Sequence, residues 1–207
     1  MARPVSREVW GRQFYKAIGG KNQMIAAITI TLTGVLVLVL MAIWLLVIII
    51  VRRPEAFAIT RSTTIAATSE AIFPHVNSLR SWEAWSPWEK LDPNARTTYS
   101  GAESGVGSVM NWNGNKKIGA GQMTIIESKP VELVRLRLEF YRPMKAVNTA
   151  EFTFKPEGAG TLVTWTMNGK NNFMGKVFHM VMDIDKMVGK DFEKGLASLK
   201  GVVEKGS

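Results

Sequence analysis

The stretch ELVRLRLEFYRPMKAVNTAEFTFK, residues 132–155, alternates apolar and polar side chains in two runs that are joined by Arg142-Pro143. The first inward-facing set is Val134, Leu136, Leu138 and Phe140, and the second is Ala146, Ala150, Phe152 and Phe154 together with the polar Asn148. Alternation with a period of two residues is typical of a β-strand with one buried face. The stretch therefore predicts two antiparallel strands that share one apolar face and one solvated face.

Five further segments have the composition of strands. They lie near residues 58–66, 96–100, 107–113, 118–127 and 160–168. Residues that favour tight turns bound them, as in Asn113-Gly114-Asn115 and Glu157-Gly158-Ala159-Gly160. A short helical segment that begins at Ser69 and a tryptophan-rich segment interrupt the series after the first strand. The sequence thus predicts an antiparallel meander of about seven strands.

The last segment, residues 172–205, changes to helical periodicity. Its apolar residues recur at intervals that place them on one side of a helix. They are Met174, Val177, Phe178, Val181, Val188, Phe192, Leu196, Leu199 and Val203. We predict one long C-terminal helix that lies against the sheet. Because a curved sheet and a straight helix do not fit flush, a hollow is expected between them.

The tryptophan-rich segment WEAWSPW, residues 82–88, is followed by Leu91-Asp92-Pro93. Together they resemble the WxxWSPW segment of bacterial polyketide cyclase-like members of the START-related SRPBCC superfamily. The segment VGKDFEKGL, residues 188–196, resembles the same proteins, and the agreement in element order covers about residues 57–205. The resemblance implies an α+β helix-grip fold, in which a curved antiparallel sheet wraps around a long C-terminal helix and leaves a deep cavity for an apolar ligand. It names no catalytic residue.

We expect the cavity to be lined by the apolar face of the sheet, the tryptophan-rich segment and the inward stripe of the helix. These residues are Trp82, Trp112, Met123, Leu136, Leu138, Asn148, Phe152, Trp165, Met167, Phe178, Val181, Met182 and Asp185. The tryptophans allow two interpretations, an aromatic wall at the cavity mouth or core packing between the short helices and the sheet. For Trp85 we favour core packing.

Asp185 is the candidate catalytic residue, because it lies on or beside the inward stripe of the helix. A carboxyl group that faces an apolar hollow has a raised pKa, which suits acid–base catalysis. The alternative is that a modest rotation of the helix points Asp185 at water or at a neighbouring base. The chain has no cysteine, which removes thiolate nucleophiles and cysteine metal sites. We expect no metal and no cofactor.

Residues 22–51 contain no ionisable side chain and are dominated by Ile, Leu and Val. A transmembrane helix needs about 20 apolar residues and satisfies its own backbone hydrogen bonds. The alternative is a secretory signal peptide that is cleaved near Ala56-Phe57-Ala58, but its apolar region is only about 7 to 15 residues long. We therefore predict an uncleaved single-pass anchor in the cell membrane.

Basic residues that flank the span predict its orientation. Those before it are Arg3, Arg7, Arg12, Lys16 and Lys21, and those that follow closely are Arg52, Arg53 and Arg61. Because cytoplasmic flanks carry the excess of Lys and Arg, we predict a cytoplasmic N-terminus and an extracytoplasmic C-terminal domain.

Most of the net charge of +9 belongs to the N-terminal part of the chain. Residues 1–53 hold seven Lys or Arg against Glu8, a net +6, whereas nineteen basic and sixteen acidic residues follow, a net +3. This excess suits anionic lipid head groups rather than nucleic acid. For the basic tail, residues 1–21, two interpretations stay open, a short helix in the head-group layer and a disordered tail.

Functions of different classes fit these features. We predict a membrane-anchored binding or carrier module that holds an apolar small molecule or lipid in the cavity. The alternatives are a polyketide cyclase-like enzyme with cyclase or dehydratase chemistry, and a regulatory domain that senses a ligand. Because no acid–base pair is evident in the sequence, we favour the non-catalytic module.

Overall fold

A computed structural model describes residues 7–206 of the chain. It divides into two compact units, with the boundary between Arg53 and Pro54. The first unit contains helix α1, Arg7–Val51, which is continuous through the expected junction between the basic tail and the span. Residues 1–6 and the side chains of residues 7–20 lie outside the described part of the chain, so the head-group-layer helix stays a prediction.

The segment Ile28–Val51 of α1 is long and apolar enough to cross a bilayer, with a mean hydropathy of 3.4. A membrane anchor and a signal sequence near an N-terminus both have this character.

The second unit is built on one seven-stranded antiparallel sheet, as the sequence predicts. Its strands are β1 (Ala56–Ile65), β2 (Arg96–Gly101), β3 (Ser108–Asn113), β4 (Ala120–Lys129), β5 (Leu133–Arg142), β6 (Ala146–Glu157) and β7 (Gly160–Lys170). Their order across the sheet is β1-β7-β6-β5-β4-β3-β2. Two register shifts interrupt β4, between Ala120 and Gly121 and between Ile125 and Glu127, and irregularities of this kind bend a strand. The helix-grip prediction is confirmed.

Helices cover the inner face of the sheet, which we define as the face that carries the main hydrophobic core. Helix α2 (Ser69–Asn77) and two short 3-10 helices, Leu79–Ala84 and Glu89–Leu91, connect β1 to β2. Two helices follow β7, α3 (Phe173–Val181) and α4 (Ile184–Lys205). Helix α4 packs mainly against β1, and it also contacts β7, α2 and the first 3-10 helix.

The prediction of one unbroken helix over residues 172–205 is wrong. The chain leaves the helical conformation at Met182, and Asp183 caps α4 with a side-chain oxygen that accepts a hydrogen bond from the Lys186 N–H at 2.9 Å. A carboxylate at this position satisfies a backbone donor that has no partner within the helix. The stripe of apolar residues therefore divides between two helices, and only the part on α4 reaches the core. Its buried residues include Phe192, Leu196, Leu199 and Val203.

Candidate functional site

An aromatic column fills the space between α4 and the middle of the sheet. The Trp165 ring of β7 lies parallel to the Phe192 ring of α4, with centroids 4.0 Å apart and an interplanar angle of 3°. The Phe152 ring of β6 also stacks on Trp165, with centroids 4.7 Å apart. The deep hollow that the sequence predicts at this point is therefore occupied by side chains of the protein itself.

The tryptophan-rich segment closes the same column from the side. Trp82 and Trp85 make edge contacts with Phe152 and Trp165 at centroid distances of 5.6 to 6.0 Å. The indole N–H of Trp82 donates to the Val76 carbonyl and that of Trp85 to the His75 carbonyl, each at 3.0 Å. Both side chains are buried, so they fix α2 and the first 3-10 helix to the core. The core interpretation holds for both tryptophans.

Beyond the column, the inner face carries a patch of half-buried apolar side chains that we call the apolar shelf. It consists of Tyr99, Met110, Trp112, Leu138 and Phe140. Across the strands Tyr99 pairs with Met110, Met110 with Met123, and Met123 with Leu138. The shelf thus forms one continuous apolar surface on β2 to β5.

The register locates the shelf at one end of the sheet. Leu138 pairs with Asn148, Asn148 with Gly169, and Gly169 with Phe57. Phe57 is the second residue of β1. The shelf therefore lies at the end of the sheet where the chain enters from the N-terminal unit, which we call the tether end.

Trp112 is held flat on the shelf by its neighbours. Its indole N–H donates to the Ile118 carbonyl at 3.0 Å, and its ring meets Phe140 edge to face at 5.8 Å. A Cβ at Gly121 would lie 2.4 Å from the Trp112 ring, so only glycine at this position lets the indole lie across β4.

Two poorly satisfied polar groups are buried on the inner face, and one of them, Asn148, borders the shelf beside Leu138. Asn148 is 9% exposed and, among the described residues, its side chain makes one hydrogen bond, a weak one from Nδ2 to Met167 Sδ at 3.7 Å. Nε1 of Trp165 is buried without a hydrogen-bond partner in the described part of the chain. Leaving a buried donor unpaired costs about 1–3 kcal/mol. Asn148 beside Leu138 therefore has unused capacity for a polar atom of a ligand, whereas the Trp165 ring is enclosed between Phe152 and Phe192 in the column.

The predicted cavity residues therefore separate into two groups. On the inner side of the second unit the structure brings together Trp82, Trp112, Met123, Leu136, Leu138, Asn148, Phe152, Trp165 and Met167. The remaining four, Phe178, Val181, Met182 and Asp185, are exposed. The break between α3 and α4 explains this difference, because it removes the first three from the helix that covers the sheet.

Asp185 forms an ion pair with Arg61 at the surface of the protein. Its carboxylate accepts hydrogen bonds from the guanidinium of Arg61 on β1 at 3.0 and 3.2 Å, and Arg61 also donates to Glu193 at 2.8 Å. These hydrogen bonds hold the pKa of Asp185 below its usual range. The expectation of a raised pKa is wrong, since the carboxyl group faces a cation at the edge of α4 and not an apolar hollow. A lowered pKa does not suit a general acid at neutral pH.

We expect Asp185→Asn to lower the free energy of unfolding by less than about 1 kcal/mol at neutral pH, because the pair is exposed and screened. A carboxyl group whose pKa is lower in the folded state stabilises the fold above its unfolded pKa, and this contribution is lost as the pH falls through the folded value. The difference between wild type and variant should therefore vanish at strongly acidic pH. Urea unfolding over a pH series measures it, and a difference that grows toward low pH would refute the pairing.

A polar cluster that the sequence did not reveal lies at the edge of the shelf. The Tyr99 hydroxyl donates to Glu83 at 2.8 Å, and Arg80 lies over the Tyr99 ring at 4.6 Å. Burial and the hydrogen bond to Glu83 raise the pKa of Tyr99, and burial together with the charge of Glu83 raises the pKa of Glu89. Thr97 and Tyr99 are two residues apart on a short strand and therefore lie on the same face. This spacing was the available signal for an inward-facing tyrosine.

Two open surface depressions lie away from the shelf. One, of about 570 Å³, is lined by Ala56, Phe57, Ala58, Val147, Thr149, Asn168, Gly169 and Lys170. The other, of about 380 Å³, is lined by Asp183, Lys186, Met187, Lys190, Asp191 and Lys194. Of the predicted cavity residues, none lines either depression.

A model of the family described as "Polyketide cyclase / dehydrase and lipid transport" matches residues 56–204. The chain belongs to this family. The matched region spans the whole sheet, the tryptophan-rich segment and both C-terminal helices. Membership in the polyketide cyclase/dehydrase and lipid transport family agrees with the superfamily resemblance of the sequence and points to a ligand-binding domain.

Solved structures share the fold of this family member. The chain is similar to protein MLL2253 from Mesorhizobium loti, with 11% identity, a TM-score of 0.55 and coverage of 73% of this chain and 99% of that one. It is similar to TTHA0849 from Thermus thermophilus, with 15% identity, a TM-score of 0.54 and coverage of 73% and 99%. It is also similar to the Aha1 dimer from Colwellia psychrerythraea, with 18% identity, a TM-score of 0.52 and coverage of 72% and 96%. No curated protein matches the sequence. At these identities the likeness concerns the fold alone.

Proposed function

We propose that the protein is a membrane-anchored module that binds an apolar small molecule or lipid on the apolar shelf. The proposal rests on the observation that helices and the tryptophan-rich segment cover only part of the inner face of the sheet. Side chains of α4 and the tryptophan-rich segment fill its middle, whereas five apolar side chains of β2, β3 and β5 stay half-buried beside it. Apolar surface of this kind gains about 25 cal/mol for each Å² that a ligand removes from water.

The Asn148 side chain supports the same proposal, because it is a polar group that could select and orient a ligand. Binding sites for small molecules are mostly apolar and contain a few polar groups that orient the ligand. The Asn148 amide is buried beside Leu138 and makes only a weak contact with the Met167 sulfur among the described residues. Its position suits recognition of a carbonyl, hydroxyl or amide group on an otherwise apolar molecule.

An uncleaved anchor is part of the proposal. The apolar segment Ile28–Val51 has 24 residues, which exceeds the about 7 to 15 residues of a signal-peptide core. The prediction of a cytoplasmic N-terminus rests on the flanking basic residues. An anchor would keep the shelf close to a bilayer, which is a reservoir of apolar ligands.

We expect Asn148→Leu to lower ligand occupancy by about tenfold, because the ligand loses one hydrogen bond and meets an apolar group instead. The same change should leave the free energy of unfolding unchanged or raise it, since it removes a poorly satisfied buried amide. Native mass spectrometry measures the first quantity and urea unfolding the second. Equal occupancy in wild type and variant would contradict the assignment of Asn148 as a ligand contact.

Photo-crosslinking tests the location of the site. Full-length protein in its membrane is incubated with a long-chain fatty acid that carries a diazirine, irradiated, digested and mapped by mass spectrometry. The proposal predicts labelled peptides from β3 and β5 in addition to the apolar segment of α1. Labelling that stays confined to α1 and the outer face of the sheet would contradict it.

A further inference from the structure

The tether end of the sheet carries exposed apolar side chains on two neighbouring elements. On α3 and the residue after it, they are Phe173, Met174, Phe178, Val181 and Met182, with exposures between 39% and 76%. On the connection between β5 and β6 and the strand ends beside it, they are Tyr141, Met144 and Val147, between 43% and 56% exposed. Soluble surfaces rarely concentrate large apolar side chains in this way without a partner.

Backbone pairing places both elements at that end. The first residue of β1, Ala56, pairs with the last residue of β7, Lys170, and α3 begins three residues later. The Asn171 N–H donates to the Glu55 carbonyl at 2.7 Å, which fastens the start of α3 beside the start of β1. Lys176 of α3 also lies 3.6 Å from the Glu55 carboxylate. Helix α3 is therefore held at the point where the chain enters the domain.

Basic residues are spread along this end of the sheet, where the acidic Glu55 lies 3.6 Å from Lys176. They are Arg96, Lys116, Lys117, Arg142, Lys145 and Lys170, all exposed, and they lie at strand ends or in the turns between β3 and β4 and between β5 and β6. At the opposite end, the turns and strand ends carry Glu103, Glu132 and Glu157 as well as Lys129 and Lys155. The positive charge is thus concentrated on the tether end.

Covalent geometry limits the distance from this surface to the apolar helix. Four residues, 52–55, separate the last residue of α1 from β1. A fully extended stretch of that length reaches about 14 Å. A protein anchored through α1 therefore keeps its tether end within reach of the head-group layer.

We propose that the tether end docks on an anionic lipid surface, with α3 and the β5–β6 connection inserted at the boundary between head groups and acyl chains. This inference rests on the anchor in the proposed function and adds the orientation of the domain on its membrane. Apolar residues that share a surface with Lys and Arg are the composition that binds such interfaces, at a depth of about 5–10 Å. Basic residues near an anionic surface add to this attraction. Docking also turns the apolar shelf toward the bilayer.

The absence of cysteine from the sequence makes a direct test simple. Single variants Val181→Cys and Met144→Cys place a thiol at the tether end, and Val106→Cys places one at the opposite end, where Val106 is 58% exposed. The full-length variants are labelled with a polarity-sensitive nitrobenzoxadiazole probe and reconstituted into vesicles of phosphatidylglycerol and phosphatidylcholine. Lipids with a spin label on the upper acyl chain then quench probes that reach the interface.

We expect the probes at positions 181 and 144 to lose most of their fluorescence to the spin-labelled lipid, and the probe at 106 to keep it. Equal quenching at all three positions would overturn the proposal. So would a blue-shifted probe at 181 without quenching, because a protein partner, a second copy included, would then cover α3.

Alkaline carbonate extraction of the same vesicles tests the anchor separately. Protein that resists extraction while its probes stay unquenched would overturn docking and leave the anchor intact. Protein that is released with loss of quenching would overturn both. The ligand adduct of the proposed function is measured independently of either result.

Discussion

Phe192→Ala should lower the free energy of unfolding by about 3–5 kcal/mol, the range for removing a large aromatic side chain from a core. Phe192 is 2% exposed and lies parallel to Trp165 at 4.0 Å. It also meets the Trp88 ring edge to face at 6.3 Å. The change opens a cavity between α4 and the sheet, and the surrounding rings are fixed by their own contacts and cannot collapse into it. Equilibrium unfolding of the full-length protein, followed by tryptophan fluorescence, measures the loss.

Met187→Ala is the control, since it removes a large apolar side chain from α4 itself at a position that is 47% exposed. We expect a change within about 0.5 kcal/mol for this variant. If Phe192→Ala lowers the free energy of unfolding no more than the control does, the aromatic column does not hold α4 on the sheet.

Leu138→Lys should reduce ligand occupancy by tenfold or more, about 1.4 kcal/mol or more in binding free energy. Leu138 is half-buried at the centre of the apolar shelf, opposite Met123 on one side and Asn148 on the other. In the ligand-free protein the ammonium group reaches water because the side chain is long and flexible. A bound apolar molecule would bury that charge, and an unpaired buried charge is strongly unfavourable.

Ile126→Lys is the control for this variant, because it adds the same charge on β4 at a side chain that is 46% exposed. Occupancy should match that of the wild type. If both lysine variants lose the ligand equally, the effect is one of net charge, and the apolar shelf is not the binding site.

The strands of this fold were predictable because period-two alternation depends on local sequence. Over most of residues 132–155 an inward-facing residue is followed by a polar residue of the other face, and β5 and β6 form the two strands expected in this stretch. The break before α4 is hidden in the sequence, because the apolar spacing continues across it from Val181 to Val188. Only Asp183, a residue type that favours helix N-caps, marked the boundary.

The site was harder to predict than the fold, because its limits are set by contacts between distant segments. Leu138 and Phe152 lie on the same apolar face, and the sequence does not distinguish them. In the structure Phe152 stacks on Trp165 inside the column, whereas Leu138 remains half-buried beyond it. The position of α4 over β1 and β7 decides which residues become core. Arg61, which is far away in sequence, likewise lowers the pKa of Asp185 through its hydrogen bonds.

Native mass spectrometry of the full-length protein, released gently from its membrane, tests the central claim most directly. The account predicts a non-covalent adduct of defined mass on the wild type and on Ile126→Lys, and its loss from Leu138→Lys. An adduct that persists unchanged on Leu138→Lys, or a wild-type protein that carries none, would contradict the claim that the apolar shelf is a ligand-binding surface.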